Sequence, residues 1–164
     1  MAVQTFTEAE IRRSFVNCSR GEAQRANLPD GFEDLAWDDL DFLGWVDPKA
    51  PQVAYVVVPR DDGPVGVRLR RNNSGSGRAR MCSLCCTVHP ANGVTLMVAN
   101  RSGKAGRDGN SVGVDVCADL RCSGYARGWA PTPAVSLLEE TTSPEQRVDR
   151  LLRNLDVFVR RVVR

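Results

Sequence analysis

A chain of 164 residues can bury one ordinary core, or one core plus a small metal-stapled module, but not several independent domains. Hydrophobic content of 42% with 26% charged residues is that of a folding, soluble chain and sets aside wholesale disorder. The net charge of +2 hides a split: residues 1–65 carry 6 Lys/Arg against 12 Asp/Glu, residues 66–128 carry 10 against 3, and residues 129–164 carry 6 against 5.

At the start of the chain, Thr7 with Glu10 three residues later is a capping box and predicts a short helix from about Glu8 to Cys18. Ser19 and Glu22 repeat the spacing, so a second brief helix is expected before Pro29, with Cys18 packed in the core. The following segment, "DGFEDLAWDDLDFLGWVDPKAP", mixes aspartates with Phe32, Trp37, Phe42 and Trp45 and reads as an irregular connector whose aromatics cover a neighbouring sheet. "VAYVVVP" and "VGVRLRR" flank a turn and predict a β-hairpin. In its second strand Val65, Val67 and Leu69 alternate with Gly66, Arg68 and Arg70, giving one apolar and one basic face. The run from Asn72 to Gly77, "NNSGSG", reads as a flexible connector.

The last stretch opens a helix at Ser143, with Pro144 in its first position and Gln146 completing a capping box. Val148, Leu151, Leu152, Leu155, Phe158, Val159 and Val162 form an apolar stripe, and Arg147, Arg150, Arg153, Arg160 and Arg161 lie opposite. The division expected from these signals is 1–50 for a helical region and connector, 51–130 for a hairpin with a metal module, and 131–164 for a linker and amphipathic helix.

The N-terminus has no basic start followed by an apolar run, and no stretch reaches the roughly 18 apolar residues of a spanning helix, so a cytoplasmic location without membrane contact is expected. In a reducing compartment six cysteines point to metal or core packing before disulfides. Cys82 and Cys85 form a CxxC pair, and after 31 intervening residues Cys117 follows, with Cys122, in "VCADLRC". Four thiolates suit one closed, tetrahedral, structural Zn²⁺. Cys86 could replace Cys85, and His89, the single histidine, could replace a thiolate; CxxC geometry favours Cys85. Between the pairs, "GVTLMVANR", a Gly-rich basic tip and "SVGVDVC" read as a β-hairpin. Knuckle, hairpin and a helix starting at the second pair make the α+β treble-clef arrangement, here joined to a preceding β-hairpin and flanked by N- and C-terminal helices.

The motifs "LDFLGWVDPKAPQVAYVVVP", "GPVGVRLRR", "MCSLCCTVHP" and "SVGVDVCADLRCSGYARG" resemble the C-terminal treble-clef domain of the fusidic-acid-resistance, elongation-factor-G-binding family. That resemblance implies zinc held by the paired cysteines and docking on the translational GTPase elongation factor G, which in resistance proteins helps the drug-stalled factor leave the ribosome. The residues nominated for partner contact are Arg101, Lys104 and Arg107 at the tip, with Arg121, Tyr125 and Arg127 on the helix. The alternative reading has the same arginines contacting ribosomal RNA through phosphate. Catalysis is not expected: one histidine is present, no serine sits in a GxSxG elbow, and "SGKAGRDG" lacks the spacing of a phosphate loop. No small-molecule substrate is implied.

Overall fold

The structure, a computed structural model, describes residues 5–72, 77–133 and 141–164. Residues 73–76 of the connector expected over Asn72–Gly77, and the linker residues 134–140, lie outside the described residues, while Asn72 ends β3. Three capping boxes set three helix starts as their spacing predicts. The Glu10 carboxylate accepts from Thr7 N at 2.8 Å and the Thr7 hydroxyl accepts from Glu10 N at 3.2 Å, opening α1 (Glu8–Ser14). Ser19 with Glu22 opens α2 (Arg20–Arg25), and Ser143 with Gln146 opens the last helix.

Strands β1 (Leu43–Val46), β2 (Val53–Val58), β3 (Val65–Asn72), β6 (Val94–Asn100) and β7 (Ser111–Cys117) make one antiparallel sheet in the order β1-β2-β3-β6-β7. Strands β4 (Arg80–Met81) and β5 (Val88–His89) form a separate two-stranded ladder. Both predicted hairpins are present, and β3 pairs with β6 through Arg70↔Val98 and Asn72↔Leu96, so they share a sheet. A short helix, α3 (Gly103–Arg107), occupies the Gly-rich tip between β6 and β7. Helix α4 (Cys122–Arg127) follows β7, and α5 (Pro144–Val163) closes the chain.

Strand β2 explains how the sheet is covered. Its two sides belong to different apolar clusters, with Ala54, Val56 and Val58 in one and Tyr55 and Val57 in the other, because successive side chains point to opposite faces. The first cluster takes in Leu151, Leu155, Phe158, Val159 and Val162 of α5 together with Cys82, Cys85, Cys117 and Cys122. The predicted stripe of α5 thus docks on the chain's own body. The second cluster gathers Phe6, Ile11, Leu43 and Trp45, with Phe32 and Trp37 packed at its margin. The connector's aromatics do cover the sheet, and the connector also contributes its edge strand: Trp45 stands opposite Tyr55, ring centroids 5.0 Å apart.

Two local expectations change. Helix α1 stops at Ser14 because Phe15 turns to bridge Gly66, with Val16 N donating to Gly66 O at 3.0 Å. Cys18 is half-buried, not in the core, and it lines a surface cleft with Asn17, Glu22 and Arg101; burial first, then Glu22, pushes its thiol pKa up. The face of β3 read as basic is covered at Gly66, where an added Cβ would lie 2.4 Å from Ser14 Oγ and 2.8 Å from the Phe15 ring. Ser14 cannot simply swing aside, since its buried hydroxyl donates to Ile11 O at 2.6 Å. Gly66→Ala is expected to destabilise the fold by about 1–3 kcal/mol, read as a lowered urea midpoint at unchanged slope.

Candidate metal centre

The first knuckle is built by the turn between β4 and β5. Cys82 N donates to Thr87 O and Cys86 N to Cys82 O, both at 2.9 Å, which folds "CSLCC" back on itself. Leu84 N and Cys85 N point at the Cys82 sulfur from 3.3 and 3.5 Å, a pair of donors that favours thiolate there. Cys86 adopts φ 63, in the left-handed region, and its sulfur lies 3.9 Å from Asn154 of α5. The second pair comes from the end of β7 and the first residue of α4. Leu120, at φ 55, turns the chain between them, and Leu120 N donates to Cys117 O at 2.9 Å.

These two turns bring the Cys82, Cys85, Cys117 and Cys122 sulfurs within 4.8 Å of one another, all four residues buried. Cys82 and Cys122 sulfurs are 3.8 Å apart, and Cys85 and Cys117 sulfurs 3.5 Å. A tetrahedral ion with sulfurs at about 2.3 Å separates them by about 3.8 Å, so the cluster has the size of a metal cage and is too open for disulfides. Four buried cysteines are therefore positioned to bind one metal ion.

Residues 10–162 match the family described as FBP C-terminal treble-clef zinc-finger. The chain belongs to that family. Among solved structures, it is similar to the fusidic acid resistance protein FusC, with a TM-score of 0.62 and 13% sequence identity over 99% of this chain. The chain spans 60% of that FusC chain, and the likeness is one of fold. No curated protein matches the sequence.

In this treble clef, His89 stands beside the cysteine cluster, its Nε2 3.3 Å from the Cys117 sulfur. Its ring is buried and packs edge-on to Tyr125 at 4.8 Å. Gly93 makes room for it, since a Cβ there would lie 2.4 Å from His89 Cβ. Thr87 Oγ1 lies 3.1 Å from the Cys85 sulfur. Sequence spacing does not single out Thr87, because its role arises from the turn geometry.

The nominated partner residues separate into two groups. Across the β6–β7 hairpin, Val94 pairs with Cys117 at the metal end and Asn100 with Ser111 at the tip, six steps or roughly 20 Å apart. Arg101, Lys104 and Arg107 lie at the tip, where Arg101 Nε donates to Arg161 O at 3.1 Å and Lys104 pairs with Asp108 at 2.7 Å. Arg121, Tyr125 and Arg127 lie at the metal end. Arg121 stacks 5.3 Å from the centre of the Trp129 ring. The Tyr125 hydroxyl donates to Asp119 Oδ2 at 2.8 Å, and burial first, then this carboxylate, pushes the phenol pKa well up. Arg127 is engaged internally: its guanidinium grips the fully buried Asp41 through two hydrogen bonds, 2.7 and 3.0 Å, and donates to Asp38 O at 2.8 Å.

Helix α5 is tied to the same centre by contacts that periodicity did not disclose. Asn154 donates to Leu84 O at 2.9 Å, Arg150 to Cys85 O at 3.3 Å, and Arg147 to Ala126 O at 2.9 Å. Two arginines assigned to the outer face of the helix thus reach back across its flank to carbonyls of the knuckle and α4.

Proposed function

We propose that the chain is a zinc-stabilised, non-catalytic cytoplasmic protein that docks on elongation factor G and acts on its release from the ribosome. The observation that carries this reading is the buried four-sulfur cluster at the junction of knuckle, hairpin and helix, within a chain of the treble-clef zinc-finger family. Thiolate-only donor sets of this closed form favour zinc and leave no open position for substrate. The partner comes from the motif resemblance to the elongation-factor-G-binding family, and the likeness in fold to the fusidic acid resistance protein FusC supports it.

The metal-end surface is suited to such docking. Trp129 is 45% exposed, and Arg121 lies over its ring. Gly124 seats that ring, since an added Cβ there would lie 2.9 Å from it. An aromatic and an arginine on a rigid base are the residue types that dominate protein interfaces. Purified protein and elongation factor G mixed at micromolar concentration are expected to co-elute from a sizing column. Arg121→Glu is expected to weaken the complex roughly tenfold or more with the melting curve unchanged. Absence of co-elution by the metal-loaded parent chain would remove this reading.

A further inference from the structure

At the end of the hairpin remote from the metal, two chain segments distant in sequence converge. Ser102 N donates to Val162 O at 2.8 Å, and Arg101 Nε donates to Arg161 O at 3.1 Å. These bonds satisfy carbonyls that the last turn of α5 would otherwise leave open, and they place a guanidinium at the negative end of the helix dipole. As a result Arg101, Lys104 and Arg107 of the tip join Arg160 and Arg161 of α5, and Arg164 just past its end, in one cationic pole.

Acidic neighbours offset only part of it. Asp108 pairs with Lys104 at 2.7 Å and Asp156 with Arg160 at 2.8 Å. Among the described residues, Arg107, Arg161 and Arg164 enter no ion pair, and all three are exposed. We propose that this pole binds the phosphate backbone of a double-helical nucleic acid, separately from the metal-end surface assigned above to a protein partner.

The residue types favour phosphate over the alternatives. Five of the six cations are arginines, whose planar forks match phosphate oxygens two at a time. Single-stranded ligands are bound with stacking aromatics, yet the one large exposed aromatic, among the described residues, is Trp129 at the other end. Protein interfaces are anchored by buried aromatic or apolar residues, whereas the large exposed apolar side chains near the pole are two valines, Val157 at 59% and Val163 at 43%, with no aromatic among them. A charged surface without anchors or stacking platforms recognises a polyphosphate backbone by charge and spacing, not by base sequence.

The test uses the full metal-loaded chain with fluorescein-labelled 20-base-pair RNA and DNA duplexes, followed by anisotropy across a salt series. Binding to either duplex is expected to weaken steeply with salt, with a log–log slope of about −3. The RNA and DNA arms identify which backbone is preferred. Arg107→Glu/Arg161→Glu should lower affinity roughly tenfold or more and make the slope shallower by about two, while Lys49→Glu in the β1–β2 turn should leave binding nearly unchanged. Unaltered melting curves and unaltered co-elution of the double variant with elongation factor G separate loss of this surface from misfolding and from failure of the factor reading. Duplex binding undiminished in the double variant, no duplex binding at low salt, or equal displacement by polyglutamate, which would mark an acidic protein face, overturns the proposal.

Discussion

Cys117→Ser is expected to yield a chain that retains no metal and no longer unfolds in one cooperative transition. The reason lies in where the cluster sits. Cys117 ends β7, Cys122 begins α4, and the Cys82–Cys85 knuckle receives α5 through Asn154 and Arg150, so an ion held there would join β7, α4, the knuckle and, through it, α5 at one end of the first apolar cluster. A structural zinc contributes on the order of 10–16 kcal/mol in small metal-folded modules, whereas the net stability of a domain is about 5–15 kcal/mol. Losing the ion therefore removes a free energy as large as the whole margin. Elemental analysis should find one zinc per parent chain and none in the variant, and far-UV circular dichroism should lose its sharp melt. Strong chelation of the parent chain should reproduce both results.

The same measurement decides the ligand set. Cys86→Ser is expected to keep the ion, because the left-handed turn at Cys86 directs its sulfur toward Asn154 and away from the other four. His89→Gln is expected to keep it too, with weaker retention against a competing chelator of about 10–100-fold, the effect usual for partners that orient a ligand. A metal-free His89→Gln protein would instead make His89 a ligand. Full occupancy in Cys85→Ser, with none in Cys86→Ser, would exchange the roles of the two adjacent cysteines.

What was legible in the sequence was whatever is encoded over a few residues. The three capping boxes fixed helix starts, alternating valines gave both hairpins, and paired cysteines disclosed the cluster because each pair closes a short turn. Features made by distant residues left no local mark. Strand β1 is four residues long, carries Gly44 and is surrounded by aspartates; only its pairing with β2 makes it a strand. The tip helix α3 contains two glycines, which weaken helical propensity. In α5 the apolar stripe was plain, but Arg147 and Arg150 have stems long enough to lie along the interface and reach carbonyls, so a polar residue type did not signify an outer position. The six nominated partner residues, five cations and Tyr125, lie close in sequence, but the hairpin holds the two groups roughly 20 Å apart.

Arg127→Met is expected to be among the most destabilising single changes outside the cluster, and more so than Asp41→Asn. Asp41 is fully buried, while the Arg127 side chain is 24% exposed and has a second acceptor in Asp38 O. Removing the arginine strands a carboxylate that has no route to water; removing the carboxylate leaves a guanidinium that keeps a carbonyl and some solvent. Breaking a buried pair from one side costs about 3–5 kcal/mol, with Arg127→Met at the upper end and Asp41→Asn below it. Urea unfolding of both variants and of the double variant would give the coupling directly, and the double variant should recover part of the loss because no unpaired charge remains. The pair clamps α4 to the connector, a bond reinforced by Asp41 N donating to the Ser123 hydroxyl at 3.0 Å and Trp129 Nε1 to Asp39 O at 3.2 Å. Loosening it should therefore also reduce affinity for the protein partner while the ion stays bound, since Arg121 and Trp129 ride on that clamp, whereas of the four ligand sulfurs only that of Cys122 lies on α4, at its first residue. Loss of zinc from Arg127→Met would mean instead that the clamp and the metal cage form a single cooperative unit.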